Sequence, residues 1–569
     1  MKKLYFVLRS FSVAVILLLN SISTFAQLND LRYFIRFTDK NNSPYSIGNP
    51  SAYLSARAIQ RRANQNILIN SQDLPVNPQY VDSVIAHGAT TYNRSKWLNG
   101  VTISVPDSAT LNSVMSLPFV ESVSHIWKKG NVEGKNKFQP VASGSQNGQR
   151  HAAPLETQSY SYGLAYNQIH IMNGDYLHNL GYRGEGMIIS LLDAGFYHAD
   201  QLPAFDSLNA DGRILATWDF VANETSVYED DGHGEEVLSC IAANVPDSSI
   251  GTAPKASFYL LRSEDAPREN IIEEYNWASA AEYADSAGTD VISSSLGYTT
   301  FDNFAFQGDT VPSENNHTYN DIDGSTCPSS IAADIAVSKG ILVLVSAGNS
   351  GNDPWHYVSA PSDGDSVLSI AAVGPDGFHA DFSSYGPSFD GDVKPNVAAQ
   401  GAWTVVEGTD GIFSIYGFGT SFACPVLAGS ATCLWQAHPT ATVMEIHDAI
   451  QQSANYASSP NDSLGYGIPN FALAHQLLGV TENSPAQNAL IVYPNPIKND
   501  VRFLLQSKRS GTIRAELFEV SGKRICSEEI FSDGVHSSIL PGTQFLAAGI
   551  YFLRVQDSDK SLIQQVIKL

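Results

Sequence analysis

Three short segments of this 569-residue chain combine small residues with side chains that could do acid–base or nucleophilic chemistry. Asp193 follows an apolar stretch and precedes Ala-Gly, His233 stands between two glycines, and Ser421 follows Gly-Phe-Gly-Thr. A serine hydroxyl is a weak nucleophile until a histidine takes its proton, and that histidine needs a carboxylate to fix its tautomer. Together the three residues predict a hydrolytic triad, in the chain order Asp, His, Ser.

Each segment taken alone has a simpler structural interpretation. An Asp after a buried strand is commonly a turn residue, and a Ser before a helix is commonly its N-cap. His233 could lie on a surface loop at a helix start. It could also bind a metal with His198, Asp231 or Glu236, although the chain contains no His-Glu-x-x-His pair.

Apolar stretches that alternate with helical periodicity predict the scaffold for these residues. The predicted strands are 187–192, 257–261, 291–295, 341–346 and 368–373, and the predicted helices are 235–243, 271–287, 330–339 and 421–438. Short, almost wholly apolar strands between helices indicate an α/β fold, with a parallel sheet covered by helices on both faces. Functional groups gather at the carboxyl ends of such strands.

The motifs in this region resemble those of the subtilisin-like serine proteases, the subtilases. The three that carry the predicted triad are Leu-Leu-Asp193-Ala-Gly, Asp231-Gly-His233-Gly and Gly419-Thr-Ser421-Phe-Ala-Cys-Pro425. The others are Gly251-Thr-Ala-Pro254, Ser293-Ser-Ser295-Leu-Gly297, Ser346-Ala-Gly348-Asn349, Phe382-Ser-Ser-Tyr-Gly-Pro387 and Lys394-Pro-Asn-Val-Ala-Ala399. The resemblance covers about residues 160–475 and implies a subtilisin-like parallel sheet.

The resemblance implies an exported serine endopeptidase that works through an acyl-enzyme and needs no cofactor for its chemistry. Ser421 would attack the peptide carbonyl, His233 would act as base and Asp193 would orient it. Asn349 would bind the oxyanion together with the Ser421 N–H. The residues implied to bind an extended polypeptide substrate are Ser295, Leu296, Gly297 and Gly348.

The chain departs from the subtilase pattern at three positions near the predicted triad. Glu235 stands where the family usually has Thr, Phe422 where it has Met, and Cys424 where it has Ser. Subtilases often bind a structural calcium ion, and Asp321-x-Asp323-Gly324 is a candidate turn for one. No glutamate follows that turn at EF-hand spacing, so the calcium site stays unplaced.

Two other classes of protein compete with the protease interpretation. The first is a non-catalytic surface binding or adhesion protein on a subtilase scaffold, against which the intact Asp193, His233, Asn349 and Ser421 argue. The second is an esterase of the α/β-hydrolase type. Such an enzyme has Gly-x-Ser-x-Gly around its nucleophile and the order Ser, Asp, His, and this chain has neither.

The flanking regions predict a secreted precursor. Residues 1–26 read as a signal peptide, with a basic start and a short apolar segment, and no later segment is apolar enough to form a transmembrane anchor. Residues 27–150 resemble a ferredoxin-like subtilase propeptide with its linker, to be cleaved within 130–158; the alternative is a binding domain that the mature protein keeps. The catalytic region is then 151–480.

Residues 485–569 alternate in strand fashion between turns and predict a β-sandwich. They resemble the C-terminal sorting domains of type IX secretion cargo, through Val492-Tyr-Pro494-Asn-Pro496, Phe518-x-x-x-Gly522-Lys, Gly549-Ile-Tyr-Phe-Leu-Arg554 and Gln565-Val-Ile-Lys568. The resemblance implies contact with the type IX machinery and a final location outside the cell or on its outer surface. A carbohydrate-binding module is the alternative.

Charge is distributed unevenly along the chain. The formal net charge is −24, which disfavours binding to nucleic acid. Residues 151–480 hold 41 acidic and 7 basic side chains, whereas residues 27–150 hold 7 acidic and 13 basic ones. We therefore predict that ionic attraction helps hold the propeptide to the enzyme. Five cysteines are too few for a disulfide scaffold. Two alternatives remain: Cys240 and Cys424 form a disulfide bridge, or the thiols are free and buried.

Overall fold

The computed structural model describes residues 31–128, 137–138, 160–482 and 489–568, apart from 303, 307–308, 312, 494–496, 498–499, 507–510, 533–534 and 557–560. The predicted signal peptide and most of the predicted linker lie outside the described residues. The chain forms two compact units, Met1–Ala472 and Leu473–Leu569, which are described separately.

The amino-terminal domain, residues 31–128, is a four-stranded antiparallel sheet with helices. Its elements are β1 (Leu31–Phe37), α1 (Ala56–Asn64), α2 (Pro78–Ala86), β2 (Thr90–Ser95), β3 (Gly100–Ser104), α3 (Ser108–Met115) and β4 (Val120–Lys128). The strand order β2-β3-β1-β4 agrees with the ferredoxin-like prediction. Pro50–Ala52 forms one separate turn, and Ser55 caps α1 by accepting from the Ala58 N–H.

The central region contains the predicted alternation of strands and helices. Its strands are β5 (Ile188–Asp193), β6 (Ile214–Asp219), β7 (Asn244–Val245), β8 (Ser249–Ile250), β9 (Ser257–Arg262), β10 (Val291–Ser294), β11 (Phe304–Phe306), β12 (Asp309–Val311), β13 (Leu342–Ser346), β14 (Leu368–Val373), β15 (Val397–Gln400), β16 (Ala402–Glu407) and β17 (Phe413–Phe418). Its helices are α4 (Tyr166–His170), α5 (Gly174–Asn179), α6 (Asp206–Ala210), α7 (His233–Ala242), α8 (Ile272–Ala287), α9 (Pro328–Ser338), α10 (Thr420–Ala437), α11 (Val443–Ser453) and α12 (Phe471–Glu482).

A seven-stranded parallel sheet forms the centre of this region, in the order β15-β14-β13-β10-β5-β9-β6. Every residue of β5, β10, β13, β14 and β15 is buried, as expected for strands covered on both faces. Helices α7 and α10 pack against each other, and α8 packs against α9. The α/β prediction is confirmed, and the carboxyl ends of β5, β10 and β13 lie at the same edge.

The second unit contains two antiparallel sheets that share one apolar core. Its strands are β18 (Ala489–Tyr493), β19 (Val501–Gln506), β20 (Gly511–Glu519), β21 (Arg524–Ser532), β22 (Val535–Leu540), β23 (Gly549–Gln556) and β24 (Ser561–Lys568). The sheet orders are β18-β19-β22 and β21-β20-β23-β24, so the predicted β-sandwich is confirmed. Pro494–Pro496 of the sorting motif lie outside the described residues.

Buried ion pairs join the amino-terminal domain to helix α8. The carboxylate of Asp285 is fully buried and lies 2.6 Å from Arg61, 2.8 Å from Arg62 and 2.8 Å from Lys96. Burial opposes the charged carboxylate, but the three cations outweigh it and hold the pKa of Asp285 well below its usual value. The basic amino-terminal domain therefore contacts the acidic central region through charges that water does not screen.

We expect Asp285→Asn to weaken this interface strongly, because it leaves three buried cations around a neutral amide. Breaking a buried ion pair from one side costs about 3–5 kcal/mol. The measurement is denaturant unfolding of the uncleaved precursor, with the predicted nucleophile removed (Ser421→Ala) to prevent processing. Asp376→Asn, an exposed turn position in the central region, is the control for lost charge. Equal midpoints in the two variants would contradict the assignment.

Candidate active site

Asp193 and His233 meet where strand β5 ends and helix α7 begins. The His233 Nδ1 lies 2.7 Å from the Asp193 Oδ1. That oxygen also accepts from the Ala194 N–H at 2.7 Å, and the Asp193 side chain is almost completely buried. A carboxylate in this position selects the ring tautomer with hydrogen on Nδ1, which leaves Nε2 as the basic nitrogen.

Gly234 explains why helix α7 can begin so close to β5. A Cβ at this position would lie 2.4 Å from the Gly195 carbonyl oxygen and 2.9 Å from the Asp193 Cβ. Any larger residue would push the start of the helix away from the strand end. The glycine that follows His233 is therefore required for the short contact between histidine and aspartate.

Ser421 lies in the first turn of helix α10, where the helix dipole favours developing negative charge. Its Oγ donates to the Ser295 carbonyl at 3.3 Å, and the Ser295 Oγ donates to the Ser421 carbonyl at 2.7 Å. Among the described residues, no hydrogen bond joins Ser421 to His233. Catalytic hydrogen bonds commonly tighten only when substrate binds, and rotation about the Ser421 Cα–Cβ bond would redirect the hydroxyl.

Asn349 follows strand β13 and is oriented by a residue that the sequence analysis missed. The Asn349 Oδ1 accepts from the Thr420 N–H at 2.8 Å and from the Thr420 Oγ at 2.9 Å. These two bonds engage the Oδ1 of the Asn349 amide. The N–H groups on its Nδ2 can therefore donate to a group bound in the cavity, which the Asn349 side chain lines. Thr420 precedes the predicted nucleophile, so the same turn holds both groups.

One cavity of about 330 Å³ brings the predicted site residues together. It is lined by His233, Asn349 and Ser421, and also by the four residues predicted to bind substrate, Ser295, Leu296, Gly297 and Gly348. Asp193 does not line the cavity and lies behind His233. Phe138, from the predicted propeptide linker, stacks on the His233 ring with centroids 4.0 Å apart. The cavity thus already contains a segment of the same chain.

Comparison with known proteins agrees with this geometry in all three regions. The subtilase family matches residues 184–468, a peptidase S8 propeptide domain of Bacteroidota matches 32–142, and a secretion system C-terminal sorting domain matches 491–569. Subtilisin NAT of Bacillus subtilis subsp. natto is 30% identical over 330 residues, which cover 57% of this chain and 74% of that protein. Subtilisin of Bacillus pumilus is 30% identical over 323 residues, 56% of this chain and 100% of that protein.

The chain belongs to the subtilase family. It is a secreted serine-type endopeptidase with a propeptide and a sorting domain, and subtilase chemistry needs no cofactor. The sorting domain indicates export to the medium or to the outer cell surface. Within the part of the chain that the structure describes, no helix has the length and apolar character needed to cross a bilayer. These matches decide against an esterase and against a carbohydrate-binding module.

Glu235, which replaces the usual subtilase threonine, lies fully buried beside the site. Neither of its carboxylate oxygens has a hydrogen-bond partner among the described residues. Burial, followed by the neighbouring Glu407, raises the pKa of Glu235 well above its usual value, and burial raises the pKa of Glu407 to about 7. Burial therefore favours the neutral form of this carboxyl group, two residues after His233.

The structure does not support a metal role for His233 or a calcium ion at the predicted turn. His233 belongs to none of the groups of metal-ligating side chains found among the described residues. Asp323 accepts from the Ser325 and Thr326 N–H groups, and Asp321 accepts from the Thr318 N–H. Both carboxylates thus stabilise the turn itself. All five thiols are free, so the Cys240–Cys424 bridge is not formed.

The pKa of His233 is raised above its usual value, although burial opposes the charged ring. The Asp193 carboxylate outweighs burial, and Glu236 and Asp231 add to its effect. Catalysis requires the neutral ring, so activity should fall as pH decreases through this raised pKa.

We expect the acid limb of kcat/KM in the subtilase to have its midpoint above 6.5, the usual imidazole value. Glu236→Gln removes one of the carboxylates that favour the charged ring, so it should move that limb to lower pH. The measurement is a pH profile of kcat/KM for both proteins on one peptide substrate. A limb at the same pH in both proteins would contradict the electrostatic explanation.

Proposed function

We propose that Ser421, His233 and Asp193 carry out peptide-bond hydrolysis through an acyl-enzyme. The observation that carries this proposal is the 2.7 Å bond between Asp193 and His233 at the edge of a cavity that also exposes Ser421. Ser421 attacks the substrate carbonyl while His233 takes its proton at Nε2. His233 then gives that proton to the leaving amine, and water repeats the sequence on the ester.

The negative charge of the tetrahedral intermediate is bound by the Asn349 Nδ2 and the Ser421 N–H. Thr420 holds the Asn349 amide in one orientation, and the start of helix α10 presents the backbone donor. Groups that are held in place before the reaction cost no reorganisation when charge develops. The substrate polypeptide lies extended along Ser295–Gly297, and Gly348 lines the same cavity.

The precursor is divided, in this proposal, into a signal peptide (1–26), a propeptide with its linker (27–150), a catalytic domain (151–480) and a sorting domain (485–569). The propeptide acts as intramolecular chaperone and inhibitor. Its interface with Asp285 and the stacking of Phe138 on His233 support that role. Cleavage within 130–158 activates the enzyme, and the type IX secretion machinery recognises the sorting domain.

The substrates are extracellular polypeptides, and a structural calcium ion remains a prediction without an assigned site. Its test is a calcium-dependent rise of the thermal midpoint of the mature enzyme, reversed by a chelator.

Cell fractionation would decide whether the mature enzyme is released into the medium or attached to the outer cell surface.

Two substitutions test the catalytic assignment on a denatured protein substrate. Ser421→Ala should abolish hydrolysis, because no other group replaces the nucleophile. Asn349→Ala should lower kcat by about 100- to 1,000-fold, because one oxyanion donor is lost. Ser430→Ala, on the same helix with its hydroxyl bonded to the Val426 carbonyl, is the matched control and should keep full activity. Unchanged hydrolysis in the Ser421→Ala protein would refute the triad.

A further inference from the structure

A lysine from the predicted linker is held by three glutamates beside the catalytic cavity. The Lys137 Nζ lies 2.7 Å from Glu264, 2.8 Å from Glu273 and 3.2 Å from Glu269. Its backbone N–H donates to the Ala266 carbonyl at 3.0 Å, and its side chain is only 14% exposed. The next residue is Phe138, which stacks on His233, so the lysine is bound in the groove that leads to the catalytic histidine.

The three glutamates form a pocket, which we call the acidic pocket, and bonds from the enzyme hold two of them. Glu273 accepts from the Asp265 N–H at 2.8 Å and from the Asn270 N–H at 2.7 Å, and Glu264 accepts from the Tyr298 hydroxyl. These bonds come from the enzyme and not from the linker. The carboxylates of Glu264 and Glu273 therefore keep their positions when Lys137 leaves, whereas that of Glu269 is paired, among the described residues, only with Lys137.

The acidic pocket requires a cation. Among the described residues, Lys137 is the only basic side chain paired with Glu264, Glu269 or Glu273. Burial raises the pKa of Glu273 well above its usual value and that of Glu269 to about 7. Removing Lys137 would take away the ammonium that favours the charged form of these carboxyl groups.

The geometry of the acidic pocket suits lysine better than arginine. An ammonium has three N–H donors on one atom, and three carboxylate oxygens surround it here from separate residues. The planar guanidinium of arginine matches two oxygens of one carboxylate instead. Glu264 and Glu269 also line the cavity that contains Ser421, so the pocket opens into the groove where substrate binds.

We propose that Glu264, Glu269 and Glu273 select a lysine on the amino-terminal side of the cleaved bond in substrates, and that Lys137 occupies their pocket in the precursor. This inference rests on the proposed function. Lys137 precedes the residue that contacts His233, so a substrate that follows the same path presents its lysine upstream of the reacting carbonyl. The substrate class is thus polypeptides with lysine at one fixed upstream position.

The test begins with the mature wild-type enzyme, produced from the full chain. Cleavage sites in a mixture of denatured proteins, mapped by mass spectrometry, should show lysine enriched at a single upstream position. Two peptides that differ only by Lys or Met at that position should then differ in kcat/KM by about 30-fold or more in favour of Lys, as expected for a buried charge pair.

Three variants separate specificity from folding. Glu269→Gln should lower the Lys-to-Met ratio of kcat/KM. Glu269→Lys should lower that ratio further, because its own ammonium would take the place of the substrate lysine between Glu264 and Glu273. Asp376→Asn, an exposed control for lost charge, should keep the wild-type ratio.

Cleavage without lysine preference, or an unchanged ratio in Glu269→Gln, would overturn the inference while leaving the protease function intact. Calcium binding by the acidic pocket would also overturn the inference. It would be seen as thermal stabilisation by calcium that Glu269→Gln abolishes, in an enzyme without lysine preference. Failure to cleave any peptide would refute the proposed function itself.

Discussion

The hydrogen bond between the Asp193 carboxylate and the His233 ring is the interaction on which the catalytic arrangement depends. It joins the end of a buried strand to the start of a helix, and it forms only because Gly234 lets the two backbones approach. The parallel sheet brings Asp193 and the groove residues to one edge, and helix α10 presents Ser421 there. The fold thus presents the proposed base, nucleophile and oxyanion donors from separate elements.

Ion pairs hold the propeptide region against the central region near this site. The central region is strongly acidic, and cations of the amino-terminal domain and of the linker each lie against its carboxylates. At Asp285, three cations dock the domain on helix α8, and at the acidic pocket Lys137 enters the substrate groove. Both contacts would be lost together when cleavage falls after Phe138. The same carboxylates would then be available to substrate, which connects inhibition by the propeptide with specificity of the enzyme.

Sequence patterns predicted most of the scaffold, and the misses have physical reasons. Strand β6 was missed because it lies at the sheet edge and is only partly buried, and its apolar run, 214–216, is only three residues long. Strand β15 was missed because alanines, rather than large apolar residues, fill it. The predicted site residues Ser421 and Asn349 line one cavity with His233. The acidic pocket could not be predicted, because its glutamates become neighbours only when the loop after β9 folds onto α8.

The most direct test of the central claim is to locate the nucleophile chemically. Mature enzyme would be treated with a phosphonylating inhibitor, digested and mapped by mass spectrometry, beside a His233→Ala protein. The account predicts a single adduct, on Ser421, which is lost when His233 is replaced because the hydroxyl then has no base. An adduct on another residue, or equal labelling of Ser421 without His233, would contradict it.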